Sequence, residues 1–173
     1  MKRLTLVRHA RADWDNSQYS DFERPLNRRG QRQAREMARR LGPLVRSADL
    51  LLTSPAVRAY TTATIFAKEL NLPLRRVLTD ERLYLASAAE LLKVLRETGP
   101  RIEQLMMFGH NPGLSEFARL LTGMSQGGKR GDDFAPGATC TLEFDLAEWA
   151  QADHGLGTNA VYESPRRRFF LFS

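Results

Sequence analysis

A single cysteine in 173 residues rules out an internal disulfide, and only three histidines are present. These histidines do not combine with carboxylates at a ligand spacing such as HExxH, so no metal site is expected. No apolar run comes near the ~18 residues that a membrane-spanning helix requires. The start, Met1-Lys2-Arg3, leads directly into a strand-like segment rather than the apolar stretch of a signal peptide, which makes a cytoplasmic protein without a membrane partner the expectation. A nucleotide loop is also missing. Gly127-Gly128 and Gly131 lack the lysine-serine or strand-helix setting of a P-loop or dinucleotide fingerprint, and no cofactor is called for. Neither an internal repeat nor a second domain is visible, so residues 1–173 read as one domain, long enough to bury a substantial single core.

The one cysteine, Cys140, lies in Thr139-Cys140-Thr141-Leu142-Glu143-Phe144, which has strand character. Nothing near it would activate a thiolate, so it is read as a packing residue. Lysine and arginine outnumber aspartate and glutamate 26 to 20, a net charge of +6 that raises the question of nucleic acid. The basic residues, however, lie along helical faces (Arg28, Arg29, Arg32, Arg35, Arg39 and Arg40) and are not interleaved with aromatics as a base-stacking surface would be. A solvated helix face is the first reading, an acidic phosphorylated partner or ligand the next, and no nucleic acid is expected. His154, in Asp153-His154-Gly155, reads as a surface-loop residue.

What the chain does have is alternating periodicity. Apolar runs at 4–7, 50–52, 76–78, 105–108, 138–144 and 169–172 have the length and composition of strands. Between them run helical stripes: Ala34, Met37, Ala38 and Leu41; Ala56, Ala59, Tyr60, Ala63, Phe66, Ala67 and Leu70; Ala88, Leu91, Leu92 and Leu95; and Leu114, Phe117, Ala118 and Leu121. This alternation predicts an α/β fold, a three-layer α/β/α sandwich with a mainly parallel central sheet. Segments 11–27, 125–133 and 151–167 read as irregular connections, the second of them the most flexible-looking of all.

Functional side chains fall where two of these strands end. Arg8-His9 follows Leu4-Thr5-Leu6-Val7, and His110 follows Met106-Met107-Phe108-Gly109. Ser54-Pro55 and Asn111-Pro112 each place a capping residue before a proline directly after a strand, which predicts two helix starts there. In an open α/β sheet the carboxyl ends of the strands form the ligand crevice, so His9, Arg58 and His110 are expected to converge. A neutral imidazole beside an electrophilic phosphorus can attack it, giving a phosphohistidine that water then hydrolyses. Arginine forks, a protonated second histidine and the amides of a helix start can hold the phosphoryl oxygens.

Four segments occur in an order that resembles the histidine phosphatase (phosphoglycerate mutase-like) superfamily: Leu6-Val7-Arg8-His9-Ala10, Ser54-Pro55-Ala56-Val57-Arg58-Ala59, Asp80-Glu81-Arg82-Leu83-Tyr84 and Gly109-His110-Asn111-Pro112. The short length and Ser20-Asp21-Phe22-Glu23-Arg24-Pro25-Leu26-Asn27 resemble its phosphohistidine phosphatase SixA-type branch. The resemblance covers roughly residues 3 to 145. It implies His9 as the nucleophile, with Arg8, Arg58 and His110 forming the phosphate pocket and Asn111 beside them. Glu81 matches the position of a mutase acid and base, although it also reads as a capping group or a salt-bridge partner of Arg82. Asp13 and Asp21 are weaker alternatives for that acid. The mutase pattern has an asparagine where this chain has Asp15; either Asp15 points away or Asn16 takes over as phosphate ligand.

These readings point to a metal-independent phosphatase acting through a phosphohistidine intermediate, with phosphohistidine in a protein as substrate. Two rivals stand beside it, a phosphomonoesterase for a sugar or other small phosphorylated metabolite and a phosphate-binding module without turnover. The expected partner is a phosphorylated protein or such a metabolite, and the sequence is silent on oligomeric state.

Overall fold

The computed structural model describes residues 1–123, 134–165 and 168–170. In chain order it consists of β1 (Lys2–Arg8), α1 (Arg28–Val45), β2 (Leu50–Thr53), α2 (Val57–Glu69), β3 (Val77–Thr79), α3 (Ala88–Arg96), β4 (Gln104–Gly109), α4 (Gly113–Thr122), β5 (Thr139–Phe144), β6 (Thr158–Glu163) and β7 (Arg168–Phe170). Short 3-10 turns lie at Leu74–Arg76, Glu81–Leu83 and Trp149–Gln151. The strands form one sheet in the order β3-β2-β4-β1-β5-β6-β7. The first four run parallel to their neighbours, and β5, β6 and β7 continue the sheet antiparallel. Among the described residues no helix is long and apolar enough to cross a membrane.

Alternation along the central strands divides the core in two. Leu105 and Met107 of β4, with Leu4 and Leu6 of β1 and Cys140 and Leu142 of β5, meet α3 and α4. Met106 and Phe108, with Val7, face α1 and α2. Both faces of β4 are covered, as the unbroken apolar run Leu105 to Phe108 requires of a central parallel strand. Phe66 of α2 meets Phe108 edge to face at 5.3 Å, and each such fully buried ring contributes about 1.5–3 kcal/mol. The three-layer sandwich expected from the periodicity is present, with the antiparallel strands as its far flank.

Several local expectations change. The segment 151–167 contains β6, which pairs with β5 across a register shift between Thr141 and Glu143. Its sequence, Thr158-Asn159-Ala160-Val161-Tyr162-Glu163, is too polar and too weakly alternating to announce a strand; pairing with β5 supplies what propensity does not. Tyr60, counted in the apolar stripe of α2, is 44% exposed. The 125–133 segment and the end of the 169–172 run lie outside the described residues. Cys140 is buried in β5, where desolvation pushes its thiol up to about 12, as befits a packing residue.

One glycine lets the loop after β1 pack against the start of α1. Asn27 caps α1 by accepting the Gly30 N–H at 2.8 Å, and a Cβ on Gly30 would lie 2.0 Å from the carbonyl oxygen of Arg11. Helix propensity alone would reward alanine there by about 1 kcal/mol. The backbone contact reverses the sign, and Gly30→Ala is expected to lower the urea midpoint by the equivalent of roughly 1–3 kcal/mol. A raised midpoint would show that the Arg11 backbone yields freely.

Candidate active site

Hydrogen bonds beyond the ends of the parallel strands line up the functional residues. The His9 N–H donates to Gly109 O at 3.1 Å, Ser54 N–H to Phe108 O at 3.0 Å and Asp80 N–H to Thr53 O at 3.0 Å. The ladder thus continues one residue past β1, β2 and β3, and His9, Ser54, Asp80 and His110 emerge along one edge of the sheet. His9 and His110 come to a ring-centroid separation of 5.2 Å. His9, Arg58 and His110 are 7%, 3% and 4% exposed, so the convergence expected from the strand ends is real and largely dry.

The His9 ring is oriented from both sides. Its Nδ1 lies 2.8 Å from Ala10 O, a contact that only an Nδ1–H can make favourably, which leaves the lone pair on Nε2. Arg58 Nε donates to that Nε2 at 3.3 Å. The Ala10 N–H donates to Thr62 Oγ1 at 3.1 Å, and Thr62 Oγ1 donates to the Arg58 carbonyl at 2.7 Å. Thr62 thereby ties the loop after β1 to the first turn of α2. Burial, reinforced by the charges of Arg58 and Arg8, lowers His9 to about 4 and keeps it neutral at ordinary pH.

Arg58 is fixed at its other end by Asp21. Its Nη1 donates to the Asp21 carbonyl and its Nη2 to Asp21 Oδ2 at 2.9 Å. Tyr84 donates its hydroxyl to the same Oδ2 at 2.6 Å. The Tyr84 hydrogen bond first, and the Arg58 pairing after it, hold the Asp21 carboxyl below the ordinary carboxylate range, while the same bond raises Tyr84. Asp21 is therefore an ionised counter-ion for Arg58 and a poor proton donor. Tyr84 also sets its ring edge-on to His110 at 5.5 Å and to Phe22 at 5.1 Å.

His110 Nε2 and Ser54 Oγ are hydrogen-bonded at 2.8 Å, whereas His110 Nδ1 is buried with no hydrogen-bond partner among the described residues. Burial, followed by the neighbouring His9 and Arg58, lowers it to about 3. His110 is thus a neutral imidazole, and the condition under which the sequence made it a charged donor, protonation, is not met in these surroundings; a phosphate dianion beside it would raise it. Ser54 Oγ accepts the Ala56 N–H at 3.3 Å, and Asn111 Nδ2 donates to Phe134 O at 3.2 Å. Arg8 also donates to Phe134 O. The two helix starts consequently differ from expectation. Neither Ser54 nor Asn111 caps its helix, α2 begins at Val57, and Pro112 sits at the cap of α4 with no side-chain bond. Both side chains are drawn into the site instead.

Other candidates stand apart. Glu81 is exposed on its 3-10 turn, and its side chain makes no hydrogen bond or ion pair among the described residues. Asp80, not Glu81, caps that turn, and Arg82 pairs with Asp80 at 2.7 Å and Glu97 at 2.6 Å. Asn16 Oδ1 accepts the Gln18 N–H at 3.0 Å, closing a turn, and no hydrogen bond joins its side chain to His9, Arg8, Arg58 or His110 among the described residues. Asp13 caps a turn through Asp15 N–H, and Asp15 is exposed. Arg24 organises this loop by donating to Asp13 O at 2.7 Å and Asn16 O at 3.1 Å, with its guanidinium 4.3 Å from the Trp14 ring. Thr62 and Phe134 were not foreseen as site-builders, and Ser54 reads from sequence only as a helix cap and Tyr84 only as a motif residue without a role; all four act through hydrogen bonds that have no periodic signature. Among the described residues no group of three or more His, Cys, Asp or Glu side chains is placed to hold a metal ion.

A buried imidazole with its lone pair on Nε2, flanked by arginine and a second imidazole, has the chemistry to hold and attack a phosphoryl group. Residues 4–84 match the family model of the histidine phosphatase superfamily (branch 1). An uncharacterized chloroplastic protein of Arabidopsis thaliana is 31% identical over 132 residues, covering 72% of this chain. The match spans 61% of that relative's length. The solved structure of the protein histidine phosphatase SixA complexed with tungstate shares the fold at a TM-score of 0.76 and 23% identity, covering 95% of this chain and 97% of that one. The mycobacterial glucosyl-3-phosphoglycerate phosphatase in complex with VO3 does so at 0.65 and 16%, over 100% of both chains.

The two depressed imidazoles carry a consequence for stability. An unfolded chain binds both protons near the ordinary 6.5, whereas the folded one holds out until about 4 at His9 and about 3 at His110. The folded state therefore binds fewer protons in that window, and stability that is complete above about 6.5 declines as pH falls toward 4. Urea midpoints are expected to drop across that range and to drop less steeply in His110→Gln. An unchanged slope in the variant would remove His110 as a cause.

Proposed function

We propose that the protein is a metal-independent phosphatase that removes the phosphoryl group from phosphohistidine in a protein, carrying it transiently on His9 Nε2. The observation that carries this reading is the tautomer of His9: Nδ1 is spent on Ala10 O, and the remaining lone pair points to the guanidinium of Arg58. An incoming phosphoryl group takes the Arg58 Nε–H from Nε2. The Nε2–P bond then forms as the P–N bond of the substrate breaks, and the substrate imidazole, protonated beforehand by solvent on its other ring nitrogen, departs as a neutral imidazole. Water next attacks phosphorus, the His9–P bond breaks, and the water's proton goes to solvent with inorganic phosphate as product. Arg8, Arg58, His110 and Asn111 are the candidates for holding the phosphoryl oxygens. Asp21 acts one step away, by holding Arg58.

The choice of substrate rests on the proton donor and on the surroundings. A phosphorylated alkoxide needs a strong acid at its leaving oxygen, whereas a protonated imidazole leaves readily. Asp21 is an anion, and Glu81 is exposed and tied to nothing in the pocket. Trp14, Tyr19, Phe22 and Leu85, large apolar side chains on the segments that also carry Asp21 and Tyr84, are 62%, 40%, 40% and 57% exposed. Such a rim suits a macromolecule better than a sugar. The small-metabolite reading stands on Glu81, which follows the strand-end residue Asp80.

Wild type is expected to hydrolyse an aryl phosphate in the presence of excess chelator and to show a transient phosphoryl adduct by intact mass after a non-acidic quench. His9→Ala should show neither. Turnover that depends on metal, or that survives His9→Ala, would overturn the mechanism. Glu81→Gln should cost less than about tenfold on a phosphohistidine peptide and on an alkyl phosphate alike. A loss of about 10²–10³ or more confined to the alkyl ester would mark Glu81 as the general acid and favour a metabolite substrate.

A further inference from the structure

Behind the phosphate pocket lies a second, basic depression. The segment 134–137 forms the wall between them. On one side Phe134 O accepts from Arg8 and Asn111, and the Gly137 N–H donates to His9 O at 3.0 Å. On the other side Ala135 and Pro136, with Arg11, Arg29, Gln33 and Pro165, enclose a cleft of about 230 Å³. An adjoining hollow of about 240 Å³ adds Arg32 and Glu36. Glu36 is already paired with Arg40 at 2.6 Å. Arg11, Arg29 and Arg32 meet no carboxylate among the described residues.

This placement of charge works against the helix that bears it. Arg28 and Arg29 lie in the first turn of α1 and Arg32 in its second, at the end where the macrodipole is positive, and the first turn has no acidic residue. Cations there are disfavoured, and an anion would be stabilised by dipole and side chains together. The cleft also has a floor of different character. Gln33 Oε1 is buried and has no hydrogen-bond partner among the described residues. A fully ionised inorganic anion such as sulfate would satisfy the arginines but has no donor for this acceptor, whereas a peptide brings carboxylates for the guanidinium forks and a backbone N–H for Gln33. Arg11 is two residues from His9, so the two backbones are at most about 7 Å apart. A chain whose phosphorylated side chain sits at His9 needs only a few residues to reach the cleft.

We propose that the cleft of Arg11, Arg29, Arg32 and Gln33 is a docking site for an acidic peptide segment flanking the phosphorylated residue of a protein substrate. The proposal rests on the protein-substrate reading of the His9 site. It makes the basic face of α1 a selector of substrate, separate from the phosphoryl-binding groups.

The test uses two peptides, each with one phosphohistidine, flanked on both sides by glutamates in one and by glutamines in the other. Kinetics with wild type and R29A/R32A are compared, with an aryl phosphate as the small substrate. Wild type should show a KM about tenfold lower for the glutamate peptide, with the advantage shrinking as salt rises. R29A/R32A should lose that advantage with kcat, aryl phosphate turnover and the glutamine peptide unchanged, and its thermal midpoint should hold or rise because two cations leave a helix N-terminus. Equal KM values in wild type, or a glutamate preference that persists in R29A/R32A, would overturn the proposal. If neither peptide is turned over while the aryl phosphate is, the substrate reading has failed, and fluorescence anisotropy with the unphosphorylated glutamate peptide decides the cleft. Binding by wild type that R29A/R32A loses sustains it, and equal or absent binding ends it.

Discussion

The parallel register between β1 and β4 is the constraint on which the site depends. Arg8 stands opposite Gly109, and the ladder runs one step further through the His9 N–H to Gly109 O. Because β4 is also in register with β2, the same alignment places Ser54 beside Phe108. A slip of one residue in either pairing would turn the alternating core side chains onto the wrong face and separate the two imidazoles. Leu105 to Phe108, buried on both faces, is what makes such a slip costly. The energy that holds the reactive groups in place is thus mostly hydrophobic and lies beneath the site.

Electrostatics within the pocket follow from that burial. Two imidazoles packed at 5.2 Å, beside Arg58 and Arg8, cannot both take protons in a dry environment, and each is driven far below its ordinary pKa. The result is a pocket with arginine charge and neutral nitrogen, suited to an anionic electrophile. One carboxylate balances it. Asp21, delivered by the loop between β1 and α1, engages both terminal nitrogens of Arg58 and draws Tyr84 into the wall. That loop is in turn shaped by Arg24, which gathers the carbonyls of Asp13, Asn16 and Tyr19. A single irregular segment therefore connects the exposed Trp14 and Phe22, the counter-ion Asp21 and, through it, Arg58.

The wall at 134–137 serves two compartments at once. Its carbonyl at Phe134 accepts from Arg8 and Asn111, the chain neighbours of the two imidazoles, and its next residues line the arginine-rich cleft against α1. Charge is divided accordingly. Arg58 is buried and Arg8 half-buried, while the exposed arginines of α1 face outward.

Periodicity alone determined the four helices, the strands that carry the site and the layer order, because one-sided burial imposes its repeat on every residue of an element. The positions of His9, Arg58 and His110 were legible for a related reason: strand ends in a parallel sheet share an edge, and the motifs sit at those ends. Tertiary structure decided the rest. The short polar β6 exists through pairing with β5. Ser54 and Asn111, which read locally as helix caps, serve the site instead because His110 and the Phe134 carbonyl come within their reach. The state of His110 depends on burial beside His9 and Arg58, residues more than fifty positions away in the chain. Asp21 read as a spare acid and became the counter-ion of Arg58 because Tyr84 and Arg58 close on it from distant segments. Local patterns record what an element buries, whereas hydrogen-bond partners and protonation states depend on atoms that only the folded chain brings together.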